Sequence, residues 1–119
     1  MLIEPDVPLA KLYAKALTNS GHSVEVVSHG QDAVHAADSH TPDLVILELQ
    51  LAGHNGIEFL YEFRSYPEWQ SIPILIVSAL PKTNAQIEPS LMKQLGIVEY
   101  FYKPETSLVK LTRKVDTLV

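Results

Sequence analysis

The chain contains no cysteine. A disulfide framework, a thiolate nucleophile and any cysteine-ligated zinc or iron–sulfur centre are thereby excluded, and a cytoplasmic protein is the expectation. Long apolar runs are also missing. The longest, Leu44 to Leu51, is interrupted by Glu48 and Gln50 and falls well short of the roughly 20 residues a bilayer requires, so no membrane partner is expected. The opening Met1-Leu2-Ile3-Glu4-Pro5-Asp6 lacks the basic end and apolar stretch of a signal peptide. Positive charge is scarce: 9 basic residues against 14 acidic ones leave a formal charge of −5. Such a chain lacks the charge needed to neutralise a phosphate backbone, and no nucleic acid is expected to bind through it. Glycine and proline are dispersed as punctuation rather than pooled in a linker, and no repeat is visible. What is present is 119 residues with 46% apolar content, enough for one core and one domain over residues 1–119.

Short runs of branched residues alternate with stretches of helical spacing. Met1 to Glu4 predicts a first strand. Asp6 is placed to cap a helix beginning near Pro8, with Leu9, Leu12, Tyr13, Ala16 and Leu17 on one face and Gly21 ending it. Ser23 to Val27 predicts a second strand, and Gly30 to Asp38 a weakly apolar helix carrying Ala33, Val34 and Ala37. Asp43 to Glu48 is nearly continuously apolar, which suits a strand covered on both faces in a parallel sheet. After the loop Ala52-Gly53-His54-Asn55-Gly56, a third helix is expected with Ile57, Leu60, Tyr61 and Arg64 on one track, ending before Pro67. Ile72 to Ser78 predicts a buried fourth strand with its proline near the start. A helix near Pro89 to Leu95, a fifth strand from Ile97 to Tyr102 and a last helix from Glu105 to Leu118 complete the chain; Leu108, Leu111, Val115 and Leu118 of that helix face inward. The sum is an α/β chain: a doubly wound, five-stranded parallel sheet with five helices, whose site belongs at the carboxyl ends of the strands.

Those ends hold Glu4-Pro5-Asp6, then Glu48, then Ser78-Ala79, then Lys103-Pro104. With the apolar run Asp43 to Glu48, the loop Gly53-His54-Asn55-Gly56, Ser78 thirty positions beyond Glu48 and Tyr102-Lys103-Pro104 closing the series, the chain resembles the receiver domain of two-component response regulators over essentially its whole length. The resemblance implies a flavodoxin-like fold with strand order 2-1-3-4-5. It also implies a phosphorelay role, in which a histidine kinase passes a phosphoryl group to an aspartate ending the third strand; Glu48 occupies that position. The family's Mg²⁺-holding acidic pair matches Glu4 and Pro5, with Asp6 one step beyond, and the remaining protein ligand matches the backbone carbonyl of Gln50. Ser78 matches the hydroxyl that contacts the phosphoryl group, Ala79 the small residue that keeps the pocket open, Lys103 the pairing lysine and Tyr100 the switching aromatic.

Two of these positions depart from the family. A carboxylate displaced by about 1 Å loses orders of magnitude in an in-line transfer, so Glu48 is a poor acceptor. Mg²⁺ demands near-octahedral oxygen ligands, and Pro5 offers no side-chain oxygen; no cofactor is expected, and Mg²⁺ binds weakly at most. Glu48 is instead expected to pair with Lys103, with a Ser78 hydrogen bond. The function expected is a pseudo-receiver, not an enzyme, that docks protein partners through the face of helix four, strand five and helix five, or pairs as a homodimer. The alternative is a working receiver phosphorylated with Mg²⁺ by a histidine kinase. The five histidines, His22, His29, His35, His40 and His54, form no i, i+4 pair and are expected at the surface. Tyr66 and Trp69 flank Pro67 and form either rim packing or an exposed aromatic patch.

Overall fold

The computed structural model describes residues 1–52 and 54–119; Gly53, within the expected third loop, lies outside the described residues. The main sheet contains β1 (Leu2–Ile3), β2 (Val26–Val27), β3 (Val45–Leu47), β6 (Ile74–Ser78) and β7 (Ile97–Tyr102), all parallel, in the order β2-β1-β3-β6-β7. This is the expected order 2-1-3-4-5. A short antiparallel ribbon of β4 (Gln50–Leu51) and β5 (His54–Asn55) stands apart from it.

Side chains leave a strand on alternate faces, and the sheet sorts them into two cores. Ile3, Val45, Leu47, Ile74 and Ile76 pack on one face under α2 (Gly30–Ser39), α3 (Gly56–Arg64) and α5 (Pro89–Leu95). Leu2, Ile46, Leu75 and Val77 pack on the other under α1 (Val7–Asn19) and α6 (Leu108–Leu118). Covering both faces is why the third and fourth strands read as unbroken apolar runs. In β7 the alternation is reset: Ile74 pairs with Ile97 but Leu75 pairs with Glu99. The extra residue, Val98, lets Ile97 and Phe101 reach opposite cores although they share parity.

Capping follows the sequence. Asp6 Oδ1 accepts from the Leu9 N–H at 3.0 Å, Asn55 Oδ1 from the Ile57 N–H at 2.6 Å, and Ser107 Oγ from the Lys110 N–H at 3.1 Å. Gly21, at φ +97°, takes the left-handed turn that follows α1.

Several expectations need correction. β2 is a two-residue edge strand rather than Ser23 to Val27, and β1 and β3 are likewise shorter than their apolar runs. The described residues form six α-helices rather than five, because α4 (Lys82–Ala85) forms before Pro89 restarts the chain. Lys103–Glu105 is a 3-10 turn, so the last helix starts at Leu108 and not at Glu105. On α3 the inward residues are Phe59, Leu60 and Phe63, while Tyr61 is 51% exposed; on α1, Leu12 is 49% exposed. Trp69 is buried and stacked on Phe63 at 5.0 Å, so no exposed patch forms around it. Arg64 turns inward and donates to the carbonyls of Leu95 (2.8 Å), Trp69 (2.6 Å) and Ile72 (2.5 Å). It thereby ties the ends of α3 and α5 to the entry of β6. His29, His35 and His40 are exposed, but His22 is half-buried and bonded to Asp116 at 2.6 Å. No helix among the described residues is long and apolar enough to cross a membrane.

Candidate functional site

Parallel strands bring their carboxyl ends to one edge, and the candidate residues meet there. Glu4 follows β1, Glu48 follows β3, Ser78 ends β6 and Lys103 follows β7. Glu4 is 3% exposed, Glu48 4% and Ser78 fully buried. Lys103 Nζ donates to Glu48 Oε1 at 2.8 Å and is ion-paired with Glu4 Oε1 at 2.6 Å. One ammonium therefore serves two carboxylates.

The remaining oxygens are held by backbone. Glu48 Oε1 also accepts from the Ala79 N–H at 3.1 Å and Oε2 from the Gln50 N–H at 3.2 Å, while Glu4 Oε2 accepts from the Asp6 N–H at 3.2 Å. Among the described residues no buried side-chain nitrogen or oxygen lacks a partner, which is what makes burial of this charge tolerable. Burial by itself would push the Glu48 carboxyl up. The Lys103 ammonium, the Ser78 hydroxyl and the Ala79 N–H outweigh it and hold Glu48 below its ordinary value. Burial would likewise lower Lys103, but the two carboxylates outweigh it and raise its pKa.

The other candidates surround this pair. The Ser78 hydroxyl accepts from the Leu80 N–H at 3.0 Å. Tyr100 is half-buried and its hydroxyl donates to the Leu80 carbonyl, with burial pushing the phenol up. Pro5 is half-buried beside Glu4, and Asp6 is exposed with one carboxylate oxygen engaged in capping α1. Gln50 is exposed and turns its N–H onto Glu48. No group of three His, Cys, Asp or Glu side chains converges on a metal-sized position among the described residues.

Sequence reasoning missed the Glu4 to Lys103 ion pair, treating Glu4 only as a metal position. The signal was available: with β1 beside β3 and Ile3 in register with Leu47, Glu4 and Glu48 stand side by side. It named Gly56 only as part of a loop. A Cβ there would meet Leu49 Cα at 2.9 Å and the Glu48 carbonyl at 3.1 Å, and the Gly56 N–H bonds the Leu49 carbonyl at 2.8 Å. The start of α3 thus rests directly on the backbone that carries Glu48.

Comparisons with known proteins identify the family and the fold. A family model described as response regulator receiver domain matches residues 1–116. Response regulator ArlR of Staphylococcus aureus is 32% identical over 104 residues, covering 87% of this chain and 45% of that protein. The chain thus spans less than half the length of that curated relative. Two solved structures share the fold. Chemotaxis protein CheY4 of Vibrio cholerae superposes with a TM-score of 0.85 at 18% identity, covering 99% of this chain and 95% of that one. Response regulator TrrA of Thermotoga maritima, solved in complex with Mg²⁺ and BeF, gives 0.81 at 21% identity, covering 99% and 96%. With a sheet of this order, a site at its carboxyl edge and a family match across nearly the whole length, the chain belongs to the response regulator receiver domains of two-component signalling.

Proposed function

We propose that this domain is a pseudo-receiver: a receiver held in one state, which signals by docking a protein partner rather than by taking up and releasing phosphate. The observation that carries the reading is the lysine shared by two buried glutamates. Lys103 is bonded to Glu48 and ion-paired with Glu4, so the residue that would meet an incoming phosphoryl group is already neutralised by acids of the chain itself. Glu48 carries its charge one methylene farther from the backbone than an aspartate would, and its oxygens are engaged by Lys103, Ala79 and Gln50. No lone carboxylate is left to attack phosphorus in line.

The residues present do not fit Mg²⁺. Pro5 supplies no side-chain oxygen, Glu4 and Glu48 point onto one ammonium, and Asp6 caps α1; a hard cation needing near-octahedral oxygens is offered no free pair of carboxylates there. The expected docking surface is the face of α5, β7 and α6, where Val98 and Val109 are exposed beside Glu99 and Lys110. The test is direct. The chain is incubated with acetyl phosphate and Mg²⁺ and weighed intact. An unchanged mass supports the pseudo-receiver; an adduct of one phosphoryl group returns the chain to the working receivers.

A further inference from the structure

Sorting exposed charge by face of the sheet divides the molecule. The helices on one face, α1 and α6, carry Lys11, Lys15, Lys110, Arg113 and Lys114 against Asp116. The helices α2 and α3, on the other face, carry Asp32, Asp38, Glu58 and Glu62, and among the described residues their one cation is Arg64, turned inward onto three carbonyls. A net charge of −5 therefore conceals an uneven distribution: α1 and α6 are basic and α2 and α3 acidic, while α5, on the same face as α2 and α3, carries the exposed Lys93.

Each side also exposes one large apolar residue within its charge. On α1, Leu12 is 49% exposed and lies beside Lys11 and Lys15, which stand one helical turn apart and are both exposed. On α3, Tyr61 is 51% exposed and lies beside Glu58 and Glu62, again one turn apart and both exposed. Like charges at this spacing repel within a helix, so each pair gains from a partner of opposite sign. The two patches lie on opposite faces of the sheet and cannot meet within one molecule.

We propose that α1 of one copy docks on α3 of another, Leu12 against Tyr61, with Lys11 and Lys15 matched to Glu58 and Glu62. The occupant is a second copy because the chain itself carries both halves of the match: the same spacing of paired charge, opposite sign, and an apolar centre in each. The contact is heterologous, joining two different patches, so it does not close at two and adds copies head to tail. The apolar pair supplies the desolvated centre, while the rim charges set orientation and make association sensitive to salt. Neither patch includes a residue of the Lys103 pocket, so this proposal and the pseudo-receiver reading stand or fall separately.

Sedimentation velocity of the 119-residue chain, over a concentration series at low and at high salt, tests it. The expected result is a sedimentation coefficient that climbs without plateau at low salt and returns to the monomer value at high salt. The double variants Lys11→Glu with Lys15→Glu, and Glu58→Lys with Glu62→Lys, change exposed residues and are checked for fold by circular dichroism. Each alone should stay monomeric, having two faces of like sign, and an equimolar mixture should associate again. A monomer at every concentration in low salt, a dimer that saturates at two, or association indifferent to both variants would overturn the proposal.

Discussion

Lys103 stands 2.6 Å from Glu4, closer than the 2.8 Å that separates it from Glu48. The contact joins the ends of β1 and β7, strands separated in the sheet by β3 and β6, so a single side chain spans the carboxyl edge. It is a tie between two buried acids.

Removing that tie has a calculable cost. Lys103→Met strands both buried carboxylates, and breaking a buried pair in this way costs about 3–5 kcal/mol. Chemical denaturation followed by fluorescence of Trp69, the single tryptophan, measures it. Glu4→Gln should cost less, since Glu48 keeps its lysine; equal costs for the two variants would show that Lys103 does not serve both acids.

Stability should form a plateau between two pH limits. Glu48 is held below its ordinary value of 4.5, so its contribution is complete above that pH and is lost as pH falls through the folded value. Lys103 is held above 10.5, so its contribution is present below that pH and lost as pH rises through the folded value. Melting curves across pH should therefore fall off at both ends. In Glu48→Gln the acid limb should be shallower, and an acid limb identical to that of the parent chain would exclude Glu48 as its source.

Gly56→Ala tests how α3 is seated. The new methyl would meet Leu49 Cα at 2.9 Å and the Glu48 carbonyl at 3.1 Å, and backbone cannot swing away as a flexible side chain can. Overpacking of this kind costs about 1–3 kcal/mol. Because the strained atoms carry Glu48, the amide resonances of Gln50 and Ala79, which bond its carboxylate, should shift with the loss of stability.

Arg64 is a second tie, at the opposite end of the strands. Its guanidinium satisfies the Leu95, Trp69 and Ile72 carbonyls together, a planar fork that one ammonium cannot reproduce. Arg64→Met should destabilise by about 2–4 kcal/mol through the carbonyls it leaves unpaired, and Arg64→Lys should recover less than half of that loss in urea unfolding. Full recovery by lysine would mean that charge alone, not the fork, matters there.

The sheet was legible in the sequence because buried parallel strands announce themselves. Leu44 to Glu48 and Ile74 to Ser78 have no wet face, so their apolar runs have no competing explanation, and Asp6 needs only its own carboxylate and the first turn of α1 to be recognised as a cap. Boundaries were less legible where neighbours decide them. β2 lies at the edge with a partner on one side only, so Ser23 to Glu25 stay outside it. On α3 the expected track took Tyr61 and left out Phe59, and the packing of Phe59 on Phe63 and of Phe63 on Trp69 in the core decides otherwise. The pairing of Glu48 with Lys103 follows from which strands end together. The pairing of Glu4 with the same lysine required placing β1 next to β3. His22 and Asp116, 94 positions apart, carry no local signal at all, since only the packing of α1 against α6 brings them together.

The central claim is that the carboxyl edge is already occupied by its own lysine and glutamates. It is tested most directly by recording amide spectra of the ¹⁵N-labelled chain with and without Mg²⁺ and beryllofluoride together. The account predicts superimposable spectra, with the resonances of Gln50, Ser78, Ala79 and Lys103 unmoved at saturating additions. Saturable shifts confined to those four residues and Glu48 would contradict it.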